Sequence, residues 1–207
     1  MSQLASKHGA INLSQGFPDF GVDQKLKDLA NHYLQGGYNQ YAPMAGVLEL
    51  RQAIAQKKQV MYGCSLDPET EITVTNGATE AIYSAIAALV GAGDEVIIFE
   101  PAYDSYVPAI EVNGGVVVPL RLKSPDYQID WDQVKDMVTS KTRMIMINSP
   151  HNPSGAILRQ DDLAVLQEIV EDTNILVLSD EVYQHLIYEG EQHQSVLRYP
   201  DLYQRSI

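Results

Sequence analysis

Four positions in the chain place a residue suited to ligand binding directly after a short apolar run. Ala78 and Thr79 follow the first run, Tyr103 the second, Asn152 a later one and Asp180 the last. A small-residue turn that opens a helix offers free backbone N–H groups and a positive dipole end, which suit phosphate, and Thr79 adds a hydroxyl. Tyr103 offers an aromatic face and Asn152 an amide in a proline-stiffened loop. Together with the Asp180 carboxylate, these groups predict a ligand pocket.

Each position also has an ordinary structural explanation when it is taken alone. The turn at Ala78 is typical of a capped helix, Tyr103 of half-buried packing, and the Asn152 segment of a structural turn. Asp180 suits a helix N-cap, but it ends an apolar run, so its carboxylate is expected to be partly desolvated. Such a group needs a cation or hydrogen-bond donors, and no Lys or Arg is adjacent. A protonated heterocyclic nitrogen on a ligand would meet that need.

The apolar runs predict the elements that must position these residues. Predicted strands cover 72–75, 95–99, 116–118, 144–148 and 175–178, and helical spacing or composition predicts helices over 47–61, 82–89, 103–112 and 163–170. The strands are continuously apolar, which is typical of a parallel sheet between two layers of helices. In such α/β sheets ligands bind beyond the carboxyl ends of the strands, where the four positions lie. We therefore predict an N-terminal extension over 1–45 and an α/β domain over 46–207.

Composition excludes several classes of protein. The chain has 207 residues, of which 45% are hydrophobic, so a packed core is expected rather than disorder. With 14 Lys and Arg against 27 Asp and Glu, the net charge of −13 argues against binding nucleic acid. No apolar run is long enough to predict a membrane span, and the N-terminus lacks an apolar signal core. The single cysteine, Cys64, fits a reducing compartment, so we expect a cytoplasmic protein.

The chain resembles the class I/II aminotransferases, which are pyridoxal-phosphate enzymes of fold type I. The pocket residues carry the resemblance, and the stretches 12–19 (NLSQGFPD) and 39–46 (NQYAPMAG) are most similar to the methionine and kynurenine aminotransferase branch. The resemblance implies the large domain of that fold, a pyridoxal 5′-phosphate cofactor and transamination between an amino acid and a 2-oxo acid. It also implies a homodimer.

The resemblance assigns roles at both ends of the cofactor. Gly16 would lie near the substrate carboxylate, and Tyr41 would reach the cofactor phosphate of the neighbouring subunit. Ala78 and Thr79 would bind the phosphate within the same subunit.

At the ring, Tyr103 would stack on the pyridine, and Asn152 and Tyr183 would hydrogen-bond to the 3′-oxygen. Asp180 would pair with the ring nitrogen. Because the cofactor draws electrons from the substrate α-carbon into its ring, a carboxylate that keeps the ring nitrogen protonated makes it a better electron sink.

The family also needs a lysine that forms a Schiff base with the cofactor, in a Ser-x-x-Lys pattern after the strand that follows Asp180. The eight lysines do not match it: Lys7, Lys25, Lys27, Lys57, Lys58, Lys123, Lys135 and Lys141. The family's C-terminal domain and its carboxylate-binding arginines are not in the sequence. We therefore expect a fragment that is inactive alone, and a strand at 72–75 without its family neighbours, which would leave the chain marginal or prone to aggregation.

Other functions are compatible with parts of the same sequence. A protein that kept the cofactor pocket without the lysine would be a non-catalytic binder or an interaction protein, and β-lyases of the same fold share the pocket. A nucleotide-binding Rossmann domain is disfavoured, because the G-x-G at Gly91 follows a helix and precedes a strand. The histidines and Cys64 lack metal-ligand spacing, so no metal is expected. His151 and His185 are interpreted as packing or solvent-facing residues.

Overall fold

The computed structural model describes residues 1–14, 16 and 18–207. These residues form two compact units, Met1–Ala42 and Pro43–Ile207. No helix among them is both long and apolar enough to cross a membrane. The helices and strands are, in chain order, α1 (Ser2–His8), α2 (Gln24–Gln35), α3 (Leu48–Tyr62), α4 (Ala78–Leu89), β1 (Glu95–Glu100), α5 (Tyr106–Val112), β2 (Val116–Arg121), α6 (Trp131–Met137), β3 (Thr142–Asn148), α7 (Gln160–Val170), β4 (Leu176–Asp180), a 3₁₀ turn (Val196–Arg198) and α8 (Pro200–Tyr203).

The second unit contains a four-stranded parallel sheet in the order β2-β1-β3-β4. β2 lies beside β1 at one edge of the sheet, and the next strand in the chain, β3, lies on the opposite side of β1. The carboxyl ends of β1 and β3 therefore flank a topological switch point, the place where open α/β sheets bind ligands. Residues 205–207 continue the sheet beyond β4, since Ser206 pairs in parallel with Val177.

Both faces of this sheet are buried, as the continuous apolar runs predict. Alternate residues of one strand enter opposite cores: in β3, Met144 and Met146 pack under α4 and α5, whereas Ile145 and Ile147 pack under α6 and α7. Full burial of one such side chain stabilises the fold by about 1.5–3 kcal/mol. The predicted α/β class with a parallel sheet between helices is confirmed.

One predicted strand is wrong, and one predicted helix starts late. Residues 72–75 form no strand. A strand needs a ladder of backbone hydrogen bonds to a neighbour, whereas in the described residues this run is joined to another segment by one backbone bond, from the Val74 N–H to the Ala45 carbonyl at 3.0 Å. The helix expected over 103–112 begins at Tyr106, which leaves Tyr103 in the loop after β1.

The first unit contains α1 and α2, neither of which has a buried residue. Gly16 and Tyr41 both lie in this unit and are exposed. Residues 15 and 17 of the predicted 12–19 motif lie outside the described residues. The assignment of 1–45 as an extension stays a prediction.

Candidate functional site

A cleft of about 130 Å³ lies at the carboxyl ends of β1, β3 and β4, beside the start of α4. Its position at the β1–β3 switch point follows from the topology. The cleft is lined by Ala78, Thr79, Tyr103, Asn148, Asn152, Asp180, Val182 and Tyr183. The structure thus brings together every pocket residue that the sequence predicts in the second unit, and it adds Asn148 and Val182.

The phosphate-binding segment predicted at Ala78 and Thr79 is the first turn of α4. Gly77 is the N-cap, and no side chain caps this helix end within the described residues. The first intrahelical bond runs from the Ala81 N–H to the Gly77 carbonyl, at 3.3 Å, so the N–H groups before it are not used by the helix. Free N–H groups and the helix dipole together favour an anion here.

Gly77 is required by its backbone conformation. Its φ of 88° lies in a region that L-residues rarely adopt, although a Cβ would meet no atom within 4 Å. We expect Gly77→Ala to cost about 1–2 kcal/mol of folding free energy and to weaken binding of inorganic phosphate at the start of α4. Urea unfolding and phosphate titration measure both effects.

Gly91→Ala is the matched control, since Gly91 has no positive φ and its Cβ would make an ordinary 3.6 Å contact with the Asp94 carboxylate. Equal stability and phosphate affinity in the two variants would contradict the role of Gly77.

Tyr103 is half-buried beside this helix end. Its hydroxyl lies 3.1 Å from the Thr79 hydroxyl, and its ring stands nearly perpendicular to the Tyr106 ring, at 81° with 5.7 Å between centroids. The hydrogen bond and the edge-to-face contact fix the ring on one side of the cleft.

Asp180 satisfies its carboxylate with neutral donors. Its Oδ2 accepts a 2.6 Å hydrogen bond from the Tyr106 hydroxyl, and its Oδ1 accepts one of 3.1 Å from the Val182 N–H. The ion pairs within the described residues are Lys58–Glu181 and Arg159–Glu191, so no cation pairs with this half-buried carboxylate. The negative charge therefore remains uncompensated and favours a cationic ligand atom.

Sequence reasoning missed Tyr106. It could have been found as a tyrosine on the apolar face of the short helix predicted over 103–112. A buried tyrosine hydroxyl usually needs a hydrogen-bonding partner, so this position predicts a polar contact. Burial, and then the hydrogen bond to Asp180, raise the pKa of Tyr106 well above its ordinary value. The phenol therefore stays protonated and continues to donate.

Asn152 and Tyr183 face the same cleft from the loops after β3 and β4. Within the described residues neither side chain has a hydrogen-bonding partner, so both remain available to a ligand oxygen. His151 is buried, where its Nδ1 lies 2.7 Å from the Ser154 hydroxyl and burial lowers its pKa, whereas His185 is exposed. Packing and solvent exposure thus account for the two histidines, as predicted.

The lining groups fit a phosphorylated, cationic heteroaromatic ring. Among the lining residues are the first turn of α4, whose N–H groups no side chain caps in the described residues, the Asp180 carboxylate, which pairs with no cation there, the Tyr103 ring and the Asn152 amide. Pyridoxal 5′-phosphate carries the complementary groups: a phosphate, a basic ring nitrogen and a 3′-oxygen. Gly16 and Tyr41 belong to the first unit and are not among the lining residues.

Comparison with known proteins decides the family. The family model "Aminotransferase class I and II" matches residues 8–206. The chain belongs to this family. A methionine aminotransferase of Escherichia coli is 48% identical over 207 residues, which cover 100% of this chain and 54% of that protein. Human kynurenine–oxoglutarate transaminase 1 is 33% identical over 99% of this chain and 52% of its own length.

Solved structures agree with the family assignment. The crystal structure of an Escherichia coli methionine aminotransferase superposes with a TM-score of 0.95 and covers 99% of this chain and 54% of its own. N-succinyldiaminopimelate aminotransferase from Mycobacterium tuberculosis, at 43% identity, gives a TM-score of 0.93. The predicted resemblance to the methionine and kynurenine branch and the fold class are both confirmed. The chain spans about half the length of the relatives it matches.

Proposed function

We propose that this chain supplies the coenzyme pocket of an enzyme that transfers an amino group between an amino acid and a 2-oxo acid with pyridoxal 5′-phosphate. The observation that carries the proposal is the cleft at the switch point, which is lined by a helix N-terminus, an aromatic ring, an amide and a carboxylate that pairs with no cation in the described residues. Membership in the class I and II aminotransferases supports the reaction type.

Each group in the cleft has a distinct task. The N–H groups at Ala78 and Thr79 hold the phosphate, and Tyr103 sets the plane of the ring. Asn152 and Tyr183 hydrogen-bond to the 3′-oxygen. The bound coenzyme supplies an electron sink for the substrate α-carbon.

Asp180 keeps a proton on the ring nitrogen. Its carboxylate is held by Tyr106 and the Val182 N–H, and no cation among the described residues pairs with it. A carboxylate beside a protonated nitrogen favours the charged form of that nitrogen, which keeps the ring electron-poor.

The remaining assignments follow from the family. Gly16 is placed near the substrate carboxylate, and Tyr41 at the phosphate of the partner subunit in a homodimer. Both residues are exposed, as contacts made to substrate or to a second subunit require. The single cysteine supports a reducing compartment, so we place the protein in the cytoplasm.

The 207 residues alone are proposed to be inactive, because no lysine lines the cleft in the described part of the chain. We expect that pyridoxal phosphate followed by borohydride leaves no stoichiometric lysine adduct in the cleft. Mass spectrometry of the digested chain locates any adduct. One lysine modified in full, and protected by added pyridoxamine phosphate, would contradict this expectation.

The reaction itself is tested in a hybrid enzyme that joins this chain to the portion of the Escherichia coli methionine aminotransferase that the match does not cover. We expect the hybrid to bind the coenzyme and to transaminate methionine or another amino acid with a 2-oxo acid. A soluble hybrid that binds the coenzyme but transfers no amino group from a panel of amino acids would contradict the proposal. It would favour the second candidate, a non-catalytic coenzyme-binding protein, which agrees with a cleft that no lysine lines in the described residues.

A further inference from the structure

Asn148, the last residue of β3, joins two segments that carry proposed coenzyme contacts. Its Nδ2 donates a 2.9 Å hydrogen bond to the Asp180 carbonyl, and its Oδ1 accepts one of 2.7 Å from the Asn152 N–H. The side chain is half-buried and lines the cleft. One carboxamide thus bridges the strand that bears the carboxylate and the loop that bears the amide.

The two bonds fix the orientation of this carboxamide. Nδ2 faces a carbonyl, which accepts only, and Oδ1 faces an N–H, which donates only. Turning the group over would place donor against donor and acceptor against acceptor. The Asn148 side chain therefore has a single arrangement that satisfies both neighbours.

The bridge supplies a link that the backbone does not make. The Ser149 N–H also donates to the Asp180 carbonyl, at 3.1 Å, so sheet pairing already holds β3 against β4. The loop after β3 closes on itself through the His151 N–H to the Ala156 carbonyl and the Gly155 N–H to the His151 carbonyl, both at 2.8 Å. Within the described residues the Asn152 backbone N–H is tied to the sheet by the Asn148 side chain.

We infer that Asn148 is a positioning residue that sets the separation between the Asn152 amide and the Asp180 carboxylate. This inference rests on the proposed function, in which both groups contact one rigid pyridine ring. The ring nitrogen and the 3′-oxygen are a fixed distance apart, so the two contacts form together only when their segments are held in register. Asn148 makes no proposed contact with the ring.

The first test uses the full chain without coenzyme. In Asn148→Ala we expect faster hydrogen exchange at the backbone N–H of Asn152, because its acceptor, Asn148 Oδ1, is gone. The backbone amides of β1 should stay protected. Asn148→Asp keeps an acceptor at Oδ1 and is expected to retain that protection. Asn113→Ala is the matched control, since the Asn113 side chain donates to a backbone carbonyl, that of Ala109, outside the cleft. Unchanged Asn152 exchange in Asn148→Ala, with β1 intact, would overturn the bridge.

The second test separates positioning from general stability. The probes are pyridoxamine 5′-phosphate, which cannot form a lysine adduct, and its 3-deoxy analogue, which lacks the 3-oxygen. We expect the unmodified chain to prefer the first by about three- to tenfold, the value of one or two hydrogen bonds. In Asn148→Ala the Asn152 contact is expected to be lost while the Tyr183 contact stays, so the preference should fall to the smaller part that Tyr183 supplies. A purely structural role would weaken both probes equally and leave the preference unchanged. Asn113→Ala keeps the preference.

The outcomes separate the inference from the proposed function. If Asn148→Ala binds pyridoxamine phosphate and keeps the full preference for it, the positioning role is overturned and the coenzyme site stands. If the unmodified chain binds neither probe, the proposed site fails and with it the role of Asn148 toward the ring. The exchange measurement still decides whether Asn148 joins the two segments.

Discussion

Replacing Asp180 with alanine is expected to lower turnover of the hybrid enzyme by about a hundredfold to a thousandfold or more, the range seen when a preorganised electrostatic group is removed. The carboxylate places a negative charge in the cleft, and its oxygens are held by the Tyr106 hydroxyl and the Val182 N–H. Without it the ring nitrogen of a bound coenzyme would lose its proton more readily at neutral pH, and the electron sink would weaken. Steady-state kinetics with saturating coenzyme measure the loss.

The pH profile of this variant distinguishes loss of charge from loss of shape. Removing a nearby carboxylate lowers the pKa of the ring nitrogen, so the Asp180→Ala hybrid should regain part of its activity as the pH falls. Asp180→Asn keeps the shape but not the charge and should behave like the alanine variant. Asp136→Ala, an exposed substitution on α6, is the control and should keep full turnover. Near-normal turnover in Asp180→Ala would refute the proposed pairing with the ring.

The sequence predicts the sheet well because each strand carries its own local signal. In β3 the run from Met144 to Ile147 is apolar at every position, and burial on both faces follows from that run alone. The edge at which ligands bind follows from the parallel topology, so the residues directly after each strand are predicted as pocket residues from the sequence alone.

The strand predicted over 72–75 is wrong because a local signal is not enough to form a strand. The run Ile72 to Thr75 has strand composition, and Ile72 is buried. A strand is nevertheless a property of a pair, and no ladder partner lies beside this run within the described residues. Local composition cannot report whether a neighbour is present.

The positioning contacts were missed because they join residues that are distant in sequence. Tyr106 and Asp180 are 74 residues apart, and Asn148 and Asp180 are 32 apart. The sequence around Tyr106 or Asn148 contains no local pattern that predicts its hydrogen-bonding partner. The sequence indicates that Asp180 needs donors, but only the structure, which places the Tyr106 hydroxyl 2.6 Å from Asp180 Oδ2, identifies the phenol that supplies one.

Replacing Tyr106 with phenylalanine is expected to weaken pyridoxamine phosphate binding by about tenfold to a hundredfold. The change keeps the ring in the core and removes only the hydroxyl, and a hydrogen bond to a charged group contributes about 1.5–3 kcal/mol. Because the pKa of Tyr106 is raised, its phenol stays protonated, so the affinity ratio of parent to variant should be constant between about pH 6 and pH 9. Titration by fluorescence measures this ratio.

Tyr188→Phe is the matched control for Tyr106→Phe, since Tyr188 is exposed and lies outside the cleft lining. It should bind as the parent does. Tyr103→Phe removes the hydroxyl beside Thr79 but leaves the Asp180 carboxylate held, so its loss of affinity should be smaller than that of Tyr106→Phe. Equal losses in the two cleft variants, or a ratio that collapses as the pH rises, would mean that Tyr106 does not hold the carboxylate as a neutral donor.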